Sequence, residues 1–86
     1  MKTFKVHIDI MPHRELLDPQ GKAVANNLHY LDIHGVSDVR IGKHIEMLVE
    51  AADEQAANHI VEDSCSKLLA NPITEQYRFV LSEMNS

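Results

Sequence analysis

Apolar residues recur at every second position in three stretches of the chain, which is the pattern of a strand with one buried face. In the first stretch they are Phe4, Val6, Ile8 and Ile10. In the second they are Ile45, Met47, Val49 and Ala51, and in the third they are Tyr77, Phe79 and Leu81. Pro12 is expected to end the first strand, and residues 82–86 are expected to form a frayed tail.

A first helix is predicted after the first strand. Asp18 can cap its free amides and Pro19 suits its first turn. The apolar stripe follows helical spacing and contains Val24, Leu28 and Leu31. Gly35 is expected to end the helix, because glycine readily adopts the left-handed conformation found there.

A second helix is predicted between the second and third of these strands. Asp53 is its candidate N-cap. Its stripe has the spacing i, i+3, i+4, i+7 and contains Ala57, Ile60, Val61, Ser64, Cys65 and Leu68. Asn71 and Pro72 are expected to end it, since proline cannot continue a helix.

A fourth strand is predicted from Val36, Val39 and Ile41, followed by a tight turn at Gly42 and Lys43. The turn would join this strand to the next one as a hairpin. The element order is then β-α-β-β-α-β, the ferredoxin-like arrangement of the α+β class. It predicts an antiparallel sheet with both helices on one face, as a single domain over residues 1–86.

The composition excludes several classes of function. The chain has 86 residues, of which 13 are acidic and 8 basic, so its net charge is −5. A negative chain is poorly suited to nucleic acid or to anionic membranes. No stretch is apolar enough for a signal peptide or a membrane span. The single cysteine forbids an intrachain disulfide and favours a reducing cytoplasm.

No catalytic or metal-binding motif is found. There is no phosphate-binding glycine loop and no nucleophile with a base beside it. The six histidines are His7, His13, His29, His34, His44 and His59. None form a His-x-x-x-His pair, so all are expected to be surface or interface residues rather than metal ligands, although His7 and His44 could be cross-strand neighbours. Cys65 is predicted to be buried and inert.

Two surface features have alternative interpretations. Leu48 and Val80 are apolar on the sheet face opposite the core, which indicates either a subunit contact or two scattered surface residues. Arg40 and Lys43 flank Gly42, either as a solvated hairpin tip or as a docking contact for a partner. In either interpretation, the side chains of Arg40 and Lys43 are not expected to hold the fold.

Three segments in order resemble the PurS family, the small subunit of phosphoribosylformylglycinamidine synthase. They are Leu17-Asp18-Pro19-Gln20-Gly21-Lys22-Ala23, Val39-Arg40-Ile41-Gly42-Lys43, and Cys65 through Asn71-Pro72 with Glu75 and Tyr77 beyond. The resemblance implies a homo-oligomer, a dimer or tetramer, that joins a glutaminase subunit (PurQ) to a synthetase subunit (PurL). The complex would use ATP and magnesium, and this subunit would bind no cofactor and supply no catalytic residue.

The residues that would bind a partner in such a complex lie in the first two segments. They are Arg40, Gly42, Lys43, Asp18 and Gln20. A second hypothesis is a regulatory module of ferredoxin-like topology that binds a small metabolite. A third, a stand-alone enzyme, lacks any candidate nucleophile or base with a partner.

Overall fold

A computed structural model describes residues 1–84 of the chain. Its elements in order are β1 (Lys2–Pro12), α1 (Pro19–Tyr30), β2 (Lys43–Ala51), α2 (Glu54–Ser64), a short π-helix (Cys65–Leu69) and β3 (Glu75–Met84). The three strands form one sheet in the order β2-β1-β3, and β1 is antiparallel to both neighbours. The predicted α+β class with an antiparallel sheet is therefore confirmed.

Strand β1 is the centre of the core because its alternate residues are all apolar. Ile8 lies opposite Ile45 on β2 and Phe79 on β3, so the apolar sets of the three strands share one face. The fully buried residues of β1 are Phe4, Val6, Ile8 and Ile10. Helix α2 covers this face with Ala57 and Val61, which are also fully buried. The three predicted strands and the second helix thus lie where the periodicity placed them.

The strand and hairpin predicted around residues 36–41 are wrong. This segment has no regular secondary structure, and Lys43 is the first residue of β2 rather than part of a hairpin turn. The strand pattern here rested on three apolar residues, of which only Val39 and Ile41 are two positions apart. The third, Val36, is 45% exposed and does not face the core. The backbone N–H of Ile41 donates to a side chain instead of a neighbouring strand. Consequently the order is β-α-β-α-β.

Helix α1 begins at the predicted position but ends earlier than predicted. Its last residue is Tyr30, and the N–H of Leu31 donates to the carbonyls of Asn27 and Leu28. Asp32 follows with a φ of 60° and Gly35 with a φ of 95°. The left-handed residue nearest the helix end is therefore Asp32, a type of residue that tolerates this conformation.

The π-helix corrects the predicted stripe of the second helix. Cys65 is fully buried as predicted, but Leu68 is 82% exposed. The N–H of Ala70 donates to the carbonyl of Cys65, a bond spanning five residues rather than four. This wider turn brings Leu69 toward the core in place of Leu68.

Strand β3 is longer than predicted. It extends to Met84, so the tail expected from residue 82 is wrong as far as Met84. Residues 85 and 86, the rest of that predicted tail, lie outside the described residues. The extension pairs with the first residues of β1, where Thr3 faces Met84.

Helix α1 does not pack on the sheet as α2 does. Its apolar side chains and those just after it are exposed, including Val24, Tyr30, Leu31, Ile33 and Val36. The chain measures 52 × 30 × 14 Å with a radius of gyration of 16.9 Å, against about 12 Å for a compact chain of this length. The prediction of two helices on one face therefore holds for α2 alone. No helix within residues 1–84 is long and apolar enough to cross a membrane.

The buried position of Cys65 leads to a prediction about its reactivity. Burial raises the pKa of the thiol, and the nearby Glu62 carboxylate raises it further. Thiol reagents should therefore label the native protein far more slowly than the unfolded protein. Cys65→Ser should lower the free energy of unfolding by about 1–2 kcal/mol, because it buries a hydroxyl. Rapid labelling of the native protein would contradict the burial described here.

Candidate functional site

The three segments singled out from the sequence meet at one end of the sheet. Strand β1 ends there, and β2 and β3 both begin there. In the register of the sheet, Ile10 lies opposite Lys43 and Pro12 lies opposite Glu75. We call this end of the molecule the sheet-end junction, comprising Asp18, Arg40, Gly42, Asn71 and Glu75.

Asp18 joins the start of α1 to the segment that precedes β2. Its Oδ1 accepts a hydrogen bond from the N–H of Gly21 at 3.0 Å, and its Oδ2 accepts one from the N–H of Ile41 at 2.9 Å. These two bonds lower the pKa of the Asp18 carboxyl below its ordinary 3.8. The ionised carboxylate therefore contributes its full stabilisation above about pH 3.8. This contribution is lost as the pH falls from there through the lowered pKa of the folded state.

Arg40 holds the loop between β1 and α1. Its Nη2 donates to the carbonyls of Pro12 and His13, both at 2.8 Å, and its Nη1 donates to the carbonyl of Arg14 at 3.1 Å. The Arg40 Nε lies 4.0 Å from Asp18 Oδ2, and the Arg40 side chain is 23% exposed. The expectation that this side chain does not hold the fold is therefore wrong.

Two glycines allow the backbone segments to approach closely. A Cβ at Gly42 would clash with the carbonyl oxygen of Ile10 and with Met11 Sδ. A Cβ at Gly21 would clash with the carbonyl oxygen of Val39. Gly42 is not among the residues with positive φ, so its requirement is space rather than the turn conformation expected from the sequence.

The third segment is attached to the same place. Glu75 Oε1 accepts a hydrogen bond from the N–H of Asn71 at 2.8 Å, which closes the turn before β3. The N–H of His13 donates to the carbonyl of Thr74 at 2.9 Å. Glu75 Oε2 also lies 3.8 Å from the Lys43 Nζ. The sheet-end junction thus links the loop after β1 with the starts of both outer strands.

The five predicted partner-binding residues divide into two groups. Asp18, Arg40 and Gly42 bind or fit against the chain's own backbone, whereas Gln20 is exposed and the Lys43 side chain is 57% exposed. Partner binding by any of the five stays a prediction. The exposed side chains of Gln20 and Lys43 are the ones that a partner could reach.

An open groove of about 810 Å³ lies beside Lys43. Its lining consists of Asp9, Met11, Gly42, Lys43, His44, Gln76, Tyr77 and Arg78. None of the groove residues from β3 was among the predicted partner-binding residues. The alternation of Gln76 and Arg78 with Tyr77 was the available signal, because it places both polar side chains on the open face of the sheet.

Cys65 and Tyr77, two groups that could take part in catalysis, are not activated for it. Cys65 is a poor nucleophile because its thiol is buried and its pKa is raised. The Tyr77 hydroxyl donates to Glu62 Oε2 at 2.8 Å, and this bond to the carboxylate raises the Tyr77 pKa. Neither group is activated, and both instead attach α2 and the π-helix to the sheet.

Comparison with known proteins gives concordant matches along the chain. Residues 5–83 match the family model described as PurS, phosphoribosylformylglycinamidine (FGAM) synthase. A relative is the phosphoribosylformylglycinamidine synthase subunit PurS of Bacillus subtilis, 40% identical over 81 residues, covering 94% of this chain and 95% of the relative.

Two solved structures show the same fold. One is a crystal form of Bacillus subtilis PurS, with a TM-score of 0.84 and 39% identity, covering 92% of this chain and 98% of that chain. The other is a chain in the structure of PurLQS from Thermotoga maritima, with a TM-score of 0.86 and 33% identity. That match covers 98% of this chain and 100% of that one.

The contacts of Arg40 predict a large effect of its removal on stability. Arg40→Ala should lower the free energy of unfolding by about 2 kcal/mol, because charge-assisted bonds to three carbonyls are lost. Arg40→Lys should recover less than half of this, since an ammonium cannot span three acceptors. Denaturant unfolding would measure both. Arg78→Ala is the matched control: that side chain is 88% exposed and its loss should change stability by no more than about 0.5 kcal/mol. Equal effects of Arg40→Ala and Arg78→Ala would contradict the role of Arg40.

Proposed function

This chain belongs to the PurS family of phosphoribosylformylglycinamidine synthase subunits, and we propose that it is the non-catalytic subunit that joins the enzyme's glutaminase and synthetase. The observation that carries the proposal is the similarity over nearly the whole chain to a chain of the Thermotoga maritima PurLQS structure. A match of this extent leaves no additional domain in the described residues that would need another explanation.

The proposed role divides the reaction between subunits. The glutaminase (PurQ) releases ammonia from glutamine. The synthetase (PurL) uses ATP and magnesium to phosphorylate the amide oxygen of formylglycinamide ribonucleotide, and ammonia then displaces inorganic phosphate to form the amidine. This chain keeps the two active sites together, and ATP and magnesium are bound by the synthetase. The single buried cysteine is compatible with our placing the complex in the cytoplasm.

Self-association forms part of the proposal. The apolar side chains of α1 and the segment after it are exposed, with Leu31 at 70% and Tyr30 at 83%. Leu48 and Val80 on the open face of the sheet are 66% and 70% exposed. Several large exposed apolar side chains on a small elongated chain are typical of a protomer that is completed by another copy. We therefore propose a homo-oligomer as the bridging unit.

A reconstitution experiment tests the proposed function. The purified chain alone should neither hydrolyse glutamine nor turn over ATP. Its addition to the glutaminase and synthetase should raise glutamine-dependent product formation several-fold. The rate with ammonium chloride in place of glutamine should change little, because free ammonia needs no transfer between subunits. Glutamine hydrolysis by the chain alone would contradict the proposal, as would an equal glutamine-dependent rate without it.

A surface variant locates the bridging contact in the same assay. Gln20→Ala combined with Lys43→Ala should leave the free energy of unfolding within about 0.5 kcal/mol of wild type and weaken assembly by about 2 kcal/mol or more. Lys67→Ala is the matched control, since Lys67 is also exposed and pairs with a carboxylate, Asp63, at 3.6 Å. Gel filtration with both partners, glutamine and magnesium-ADP would measure assembly. A double variant that assembles like Lys67→Ala would place the contact elsewhere.

A further inference from the structure

A cluster of imidazole and carboxylate groups lies at the centre of the open face of the sheet. In the register of β1 and β2, His7 faces Glu46 and Asp9 faces His44. All four side chains therefore project from the face opposite the core. The residues come from two strands far apart in sequence, so only the strand pairing brings them together.

Three of these side chains direct possible metal ligands toward one point. His7 Nδ1 lies 3.3 Å from His44 Nε2 and 3.6 Å from Glu46 Oε1. The three donor atoms all lie within 4.8 Å of one another, and within residues 1–84 no other group of three or more donors does so. Two zinc–nitrogen bonds at a tetrahedral angle place their nitrogens about 3.3–3.4 Å apart. The spacing of the two histidine nitrogens agrees with that geometry.

Asp9 holds one of the histidines in the orientation that a ligand needs. Its Oδ1 lies 2.7 Å from His44 Nδ1, the ring nitrogen that points away from His7. A proton on Nδ1 that is donated to Asp9 leaves the lone pair on Nε2 free to bind a metal. A carboxylate behind a histidine in this way is the usual second layer of a zinc site.

We propose that His7, His44 and Glu46 form a binding site for a divalent transition-metal ion of the zinc type, with Asp9 as the residue that orients His44. Imidazole and carboxylate ligands suit zinc, whereas magnesium prefers oxygen ligands alone. Three protein ligands leave a fourth position that faces outward from the sheet, for water or for a group of a neighbouring subunit.

The proposed site goes beyond the proposed function, and it departs from the expectation that none of the six histidines is a metal ligand. That expectation rested on spacing along the chain, and His7 and His44 are separated by 37 positions. The ion would join β1 to β2 across the open face, beside the groove that His44 also lines.

Isothermal titration calorimetry at neutral pH tests the site. The full chain is first treated with a chelator and then titrated with zinc. Wild type should bind one zinc per chain, and magnesium should give no signal. The double variant His7→Ala/His44→Ala should bind zinc at least about 100-fold more weakly, since two of three ligands are gone. Asp9→Asn should weaken zinc binding about 10- to 100-fold while leaving one site per chain.

The matched control removes the same number of histidines elsewhere. His29 and His34 have ring centroids 5.6 Å apart, and His29→Ala/His34→Ala should keep wild-type zinc affinity within about threefold. Glu46→Gln keeps the shape of the side chain and should still weaken zinc binding. It therefore tests the site even if the double histidine variant fails to fold. A wild type that binds no zinc, or a control that loses as much affinity as the cluster variant, would overturn the proposal. Neither result bears on the proposed bridging function, because the zinc titration contains no partner subunit.

Discussion

The carboxylate of Asp18 is the contact on which the sheet-end junction depends. One oxygen binds the first turn of α1 and the other binds the N–H of Ile41, 23 positions further along the chain. Arg40 complements it by donating to the carbonyl of Pro12, the last residue of β1, and to those of His13 and Arg14 in the loop before α1. A carboxylate can satisfy only N–H groups and a guanidinium only carbonyls, so the pair provides partners for both kinds of backbone group where no strand does.

This contact explains why the segment before β2 can cross the sheet end without secondary structure. Ile41 obtains its hydrogen bond from a side chain, and Gly42 then passes against the Ile10 carbonyl where a larger residue would clash. Strand β2 begins at the next residue in register with β1. The conspicuous residues at the junctions are thus largely structural. The exposed Gln20 and Lys43 beside them remain available to a partner.

Local patterns in the sequence predicted those elements whose causes are local. The alternation from Phe4 to Ile10 predicted the central strand, and the caps at Asp18 and Asp53 predicted both helix starts. Features that depend on distant contacts were not predictable in this way. The side-chain bond to Ile41, the carbonyls bound by Arg40 and the pairing that brings His7 to His44 all join positions more than 20 residues apart. The π-helix is a further case, because a single wider turn after Ser64 is enough to turn Leu68 outward.

Amide hydrogen exchange at Ile41 tests the central claim most directly. The N–H of Ile41 belongs to a segment without secondary structure, so its protection depends on the Asp18 carboxylate. We predict that Ile41 exchanges as slowly as the amides that pair β1 with β2, and that Asp18→Ala removes this protection while the amides at the centre of β1 stay protected. Exchange of Ile41 in the wild type as fast as that of the amides in residues 34–38, which have no secondary structure, would contradict the account.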